Sequence, residues 1–341
     1  MQLRSFYFAI AAVLVFTGCS EDQRSTDISS IPSEVQFLNL HSDLQIEPER
    51  ALDVRHQQLY QTYGAFWNDY TEAILQIGDG HDPATLLEVD RFLVYPDTEA
   101  SAAAIDEVHS PQIDTYTAAI DKAFRRYRFH FPSEPLPTVV YFNGGFNFGV
   151  YPTDTHLGIG LEFFLGAEHP ISMQLDPQLF PAYIQKRMEP HFLISDALRG
   201  WLLVHYQDRY YEEKDLLTTC MYWGKIMYIL DVMLPDETDA NKMGYSEEEQ
   251  AWCLANERNL WIEFSQQPIL YETRRFEINR WTADAPFTRA AKLPQNTPPR
   301  VGVWLAWRIV RDYMEKNPDT TLDQLLSESD YLRMLNAYRP G

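Results

Sequence analysis

The side chains that could do chemistry are few, and their spacing decides most of what they can do. A helical zinc peptidase needs two His one turn apart and a general-base Glu beside the first. None of the nine His has another His three or four residues away, so H-E-x-x-H is absent. His205, Asp208 and Glu212 share one helical face and could hold a metal, although a solvated polar face is the commoner use of such a stripe. Glu162 interrupts the apolar run LGIGLEFFLG. It either grips a ligand in a cleft or ends a strand facing water, because an unpaired carboxylate is seldom buried. His130, His156, His169 and His191 lack the Ser, Cys or Asp context of a triad, and there is neither G-x-S-x-G nor a P-loop. Arg187, Arg199, Arg300 and Arg308 lie among apolar residues, where they would pair acids internally. Cys220 and Cys253 sit in no C-x-x-C pattern and read as buried thiols, with a disulfide left open.

The N-terminus addresses the chain to a membrane. Arg4 supplies a positive start and Phe6 to Phe16 an unbroken apolar run, which as helix covers only about 16 Å, too short to span a bilayer. Phe16-Thr17-Gly18-Cys19 resembles a lipobox, so residues 1–18 read as a signal peptide and Cys19 as the acylated (palmitate-type) first residue of the mature chain. Several acyl chains on one residue anchor firmly, at about 0.8 kcal/mol per buried CH₂. Residues 19–44, polar at their start, read as a flexible tether. Ser20 is not the Asp that retains lipoproteins in the inner membrane, which favours the outer membrane; Glu21-Asp22 leaves periplasmic and surface faces open.

A formal charge of −21 excludes a nucleic-acid partner and a basic lipid-gripping patch, leaving the acyl chains as the membrane contact. With 45% apolar and 14% aromatic residues, residues 45–341 can bury a large core and read as a single domain. Three helices are expected first: Pro48 to Ile77, then one opened by Asp82-Pro83, then Ala100 to Tyr127. Between 136 and 165, Thr138 to Phe142, Phe148 to Tyr151 and Leu157 to Phe163 alternate as strands, with Asn143-Gly144-Gly145 as a turn. Helices then return over 176–341: one opened by Asp176-Pro177, one near Ser195 to Tyr211, Leu216 to Leu234, one behind the capping box at Ser246, and Val301 to Tyr313. The expected fold is α+β and predominantly helical, with a small antiparallel or mixed sheet of about three strands flanked by helices.

From Phe131 onward the chain closely resembles the gliding-motility lipoprotein GldB family of the Bacteroidetes. The matching stretches are FHFPSEPLPTVVYF, THLGIGLEFFLG, PAYIQKRM, MYWGKIMYILDVMLPDETDANKMGYSEEEQAWCLANE, DAPFT and PPRVGVWLAWRIVRDYMEKNPD, in order and at family-like spacing. The resemblance implies an envelope lipoprotein needed for gliding, on a scaffold related to predicted gluzincin-type zinc peptidases. In that scaffold a ligand Glu belongs where Trp223 stands, and indole cannot ligate zinc. A degenerate peptidase-like scaffold without a metal site follows, with Glu162, Tyr222 and Trp223 as candidate residues of a relic cleft and no cofactor. The reading is a non-enzymatic component of a gliding or secretion apparatus with protein partners. The alternatives are an envelope hydrolase with an unrecognised site, or a module binding peptide or glycan in the relic cleft.

The anchor has a direct test. Cys19→Ala is expected to abolish metabolic labelling with palmitate and to move the chain from the membrane pellet to the supernatant; a variant that still sediments with membranes would refute lipid anchoring at Cys19.

Overall fold

A computed structural model describes residues 26–45, 51–212, 214–284, 293–294 and 296–341. The signal segment, Cys19 and the start of the tether lie outside the described residues. Four strands form one mixed sheet: β1 (Phe37–Asn39), β2 (Thr138–Phe142), β3 (Val150–Pro152) and β4 (His156–Gly160), in the order β1-β2-β4-β3. β1, β2 and β4 are parallel, with Val139 opposite both Phe37 and Leu157; β3 runs antiparallel on β4.

β1 corrects one expectation, since the tether does not extend to residue 44. It also brings the small mixed sheet, expected at about three strands, to four. Phe37-Leu38-Asn39 is too short to show alternation, and it joins the sheet only because β2 lies beside it. The helix that follows, α1 (Leu40–Gln45), buries Leu40 and Leu44, which a solvated tether would expose.

The sheet divides two apolar cores, and β2 faces both because successive strand side chains point to opposite sides. Val140 and Phe142 join Phe66, Trp67, Tyr70 and Ile74 in the smaller core. Val139 and Tyr141 face the larger one, built on the long helices. The smaller core is lined by α2 (Leu52–Tyr63) and α3 (Thr85–Leu93), and the larger by α4 (Pro96–Val108), α5 (Ile113–His130), α6 (Leu193–Tyr210), α7 (Leu216–Met233), the short α8 (Asp239–Met243), α9 (Glu247–Phe264) and α10 (Val301–Lys316). Shorter turns of helix connect them.

Several boundaries differ from the expected ones for local reasons. The helix expected through Ile77 stops at Gly64 (φ 53°), resumes over Ala65–Asn68 and widens into a π-helix over Asp69–Ile74. The wide turn buries Tyr70, Thr71 and Ile74 together, which an unbroken helix would place differently. The third expected helix is two, α4 and α5, broken at Ser110-Pro111. Asp176-Pro177 opens only a turn: its carboxylate accepts from the Gln178 N–H, and helix does not resume until Ala182. Ser195 lies inside α6 and does not cap it. The capping box at Ser246 and Glu249 forms as expected.

α7 and α10 cross at the centre of the larger core. A Cβ on Gly224 would lie 2.7 Å from the Ala306 carbonyl carbon, so glycine sets their approach. Above this crossing Asp231, buried on α7, accepts from Lys242 (3.0 Å), from the Arg311 Nε and Nη2 (2.6 and 2.7 Å) and from the Trp307 indole (2.7 Å). Arg311 continues to Asp239 (2.6 Å) and lies over Trp307. Removing a buried carboxylate strands the cations it held. Asp231→Ala is therefore expected to lower unfolding stability by about 3–5 kcal/mol, read from the midpoint of denaturant unfolding; a shift of under half that size would show the cluster to be peripheral.

Candidate functional site

A second constructed polar feature is the turn Asn143–Asn147, where β2 leaves the sheet. Five hydrogen bonds to three other segments of the chain hold it. Glu162, in the 3₁₀ turn after β4, accepts through Oε1 from the Gly144 N–H (2.7 Å) and the Phe146 N–H (3.1 Å). Tyr70, in the π-helix, donates its hydroxyl to the Asn143 carbonyl (2.8 Å). Asn143 donates to Ser101 on α4 (3.0 Å), and Asn147 donates to the Ile74 carbonyl at the end of the π-helix (2.9 Å). The π-turn thus reaches the strand turn at both ends.

The conformation held this way is unfavourable on its own. Phe146 sits at φ 62°, a left-handed backbone that bulky residues rarely adopt. Gly145 is at φ 63°, and a Cβ there would meet the Phe92 ring at 3.1 Å. Glu162 is fully buried, and its Oε2 has no hydrogen-bond partner. Burial pushes its carboxyl up to about 7, although the bonds from Gly144 and Phe146 oppose this. Burial, with the nearby Glu162 charge, also pushes the Tyr70 phenol well above its ordinary range.

Phe146 and Gly145 form one wall of a groove of about 610 Å³. α3, α4 and the residues joining them contribute Phe92, Tyr95, Asp97 and Ser101; the segment 171–180 contributes Ile171, Leu175, Asp176, Leu179 and Phe180. Phe180 meets Phe146 edge-on at 6.0 Å between centroids. The rim is apolar and wet: Tyr95 is 60% and Leu179 71% exposed. A groove of this size falls in the range that holds ligands or partner side chains, and exposed apolar patches of this kind mark interaction surfaces.

Glu162, Tyr222 and Trp223 do not build one site. Glu162 neither faces water nor opens into a groove; it supports the turn. Tyr222, buried on α7, donates to the Leu203 carbonyl of α6 (2.7 Å), and Trp223 packs half-buried on the larger core. Leu198, Trp201 and Leu202 of α6 are buried in the larger core, Trp201 edge-on to Phe124 and Tyr127 of α5. A zinc ion does not fit these residues. His205 on α6 stacks on Trp201 and pairs with Glu134 (3.1 Å), and among the described residues no three His, Cys, Asp or Glu side chains converge.

The arginines pair internally. Arg187 contacts Asp196 and Asp284, Arg199 contacts Asp196, Arg300 contacts Asp284, and Arg308 contacts Glu257. The third charge of the first group meets the carbonyls of Lys242 and Met243 at the negative end of α8, which accept from Arg199 and Arg300. Cys220 and Cys253 are buried free thiols.

The family model described as gliding motility protein GldB matches residues 21–340. The chain belongs to the GldB family. No curated protein and no solved structure matches it. Membership makes it a gliding-motility-associated protein of a lipoprotein family, and no helix among the described residues is long and apolar enough to cross a membrane. Within this GldB-family chain the turn residues Asn143, Phe146, Asn147, Tyr70 and Ser101 went unread as site residues. Asn143-Gly144-Gly145 signalled a turn, but nothing local signals that Phe146 adopts a left-handed conformation.

The raised carboxyl of Glu162 gives a pH signature. The folded chain keeps its proton above the pH at which the unfolded chain releases it, so the stabilisation is complete below about 4.5 and lost as pH rises through about 7. Stability should fall by up to about 3 kcal/mol across that window, measured by denaturant unfolding at stepped pH. Glu162→Gln should flatten the dependence; an unchanged slope would remove Glu162 as its source.

Proposed function

We propose that this chain is a non-catalytic envelope component of the gliding apparatus, held at the outer membrane by acyl chains on Cys19, that works by docking another protein of the gliding or linked secretion machinery. One observation carries the docking part: an apolar groove with an exposed rim, one wall of which is a strained turn held by a buried carboxylate. Its position adds support. β2 and β4 are parallel, and the turn after β2 and the Glu162 turn after β4 both leave from their carboxyl ends, where open α/β sheets place their binding crevices. The donor set counts against peptidase chemistry, because α6 brings Leu198, Trp201 and Leu202 where metal ligands would be required. The anchor and the groove divide the work: one keeps the chain at the membrane, the other recruits.

Affinity purification from membranes in mild detergent, followed by mass spectrometry, tests this. Gliding or secretion proteins are expected with the wild type, reduced at least fivefold with Leu179→Ser, and lost with Cys19→Ala. A protein that purifies alone, with stoichiometric metal and hydrolytic activity, would overturn the proposal.

A further inference from the structure

We infer that the groove between α4, the Asn143–Asn147 turn and the segment 171–180 receives a basic, apolar segment of a partner protein: aromatic or aliphatic side chains flanked by Lys or Arg. This rests on the docking function proposed above and adds what the docked segment must be made of.

The argument is complementarity. Of the groove's lining residues only Asp97 and Asp176 are ionisable carboxylates, and none is a cation. They come from different walls, Asp97 from the first turn of α4 and Asp176 from the segment 171–180. Both are exposed. Among the described residues the Asp97 carboxylate has no hydrogen-bond or ion-pair partner, and the Asp176 carboxylate is engaged only by the Gln178 N–H. The remaining walls, Phe92, Tyr95, Phe146, Ile171, Leu179 and Phe180, are aromatic or aliphatic.

An acidic segment would meet two carboxylates without a counter-cation. A segment with no charge would leave them beside a newly dry surface, where losing water weakens the ionised form. A Lys or Arg next to an apolar side chain satisfies both, with the stem lying along the wall and the charge at the rim. The chain's net charge of −21 favours the approach of a basic segment from a distance, while the two carboxylates fix where it lands. The floor needs no further partner: Ser101 is already bonded to Asn143 and to the Thr98 carbonyl.

The test uses the full-length lipidated protein in a neutral detergent and a fluorescent seven-residue peptide alternating Leu or Phe with Lys or Arg, followed by anisotropy. A second peptide carries Glu in place of each basic residue. The basic peptide is expected to bind and the acidic one not, with affinity falling as salt rises from 50 to about 300 mM because surface charges are then screened. Asp97→Asn with Asp176→Asn should weaken binding about fivefold or more, and Leu179→Ser about tenfold. The pair Asp114→Asn with Glu315→Gln removes the same charge elsewhere and should leave binding unchanged. Equal loss in that control pair would reduce the effect to net charge and overturn the inference. So would equal binding of the two peptides, or a dimer by sedimentation that Leu179→Ser dissolves, since a second copy would then fill the groove. If the peptide results hold but no gliding protein co-purifies, the proposed function fails and the composition of the groove's ligand stands. If gliding proteins co-purify while the two Asn substitutions change nothing, this inference fails alone.

Discussion

The buried carboxylate of Glu162 is the constraint around which the binding end of the molecule is arranged. Placing a carboxyl group out of water is costly unless it is bonded, and here only one of its two oxygens is. What that cost holds in place is a Phe in a left-handed conformation next to a Gly that no other residue could replace without meeting Phe92. Strain of this kind persists only where the surroundings over-determine it. The surroundings do so here through Tyr70, Asn143, Asn147 and Ser101, which tie the same turn to the π-helix and to α4. Any motion of the turn would have to break several of these bonds together, so the groove wall is stiff.

The larger core plays the opposite part. Its charged groups are nearly all consumed by one another: Asp231 with Lys242 and Arg311, Asp196 with Arg187 and Arg199, Glu257 with Arg308. The tryptophans of α10 are bonded in the same way, Trp307 to Asp231 and Trp304 to Gln250. Networks of this kind specify how α7, α8, α9 and α10 sit on each other. The close approach of α7 and α10 at Gly224 and Ala306 leaves no room between them.

Periodicity revealed the elements whose stability is local. β2, α7, α10 and the capping box at Ser246 follow from β-branched runs, apolar stripes and an N-cap signature, and each lies within a few residues of its expected bounds. What stayed hidden depends on contacts far apart in sequence. β1 is three residues of no distinctive pattern, and only β2, about a hundred residues later, makes them a strand. The π-turn at Asp69–Ile74 has the composition of ordinary helix. Glu162 was legible as an anomaly, a carboxylate in an apolar run, but its two plausible uses, cleft ligand or wet strand end, both assumed that it would find water or a ligand. It finds the backbone of the turn after the neighbouring strand, a partner that no spacing rule points to.

That outcome also relocates where function should be sought. A peptidase-like reading directs attention to α6 and α7, where the Tyr222 hydroxyl donates to the Leu203 carbonyl and ties the two helices together. The sheet offers a different place. Its parallel strands end together, and the two turns that leave from those ends bond to each other through Glu162. A sheet edge of that kind collects unpaired backbone groups, and proteins use it either to bind a ligand directly or to shape the loops that do. Here the backbone groups are already bonded by Glu162 and Tyr70, so direct polar capture is closed off. What remains exposed is the product of that bonding: the ring of Phe146 and the rim of Tyr95 and Leu179, an apolar surface that carries the carboxylates of Asp97 and Asp176. The bonds that hold the turn therefore also fix the shape that a docked segment would meet.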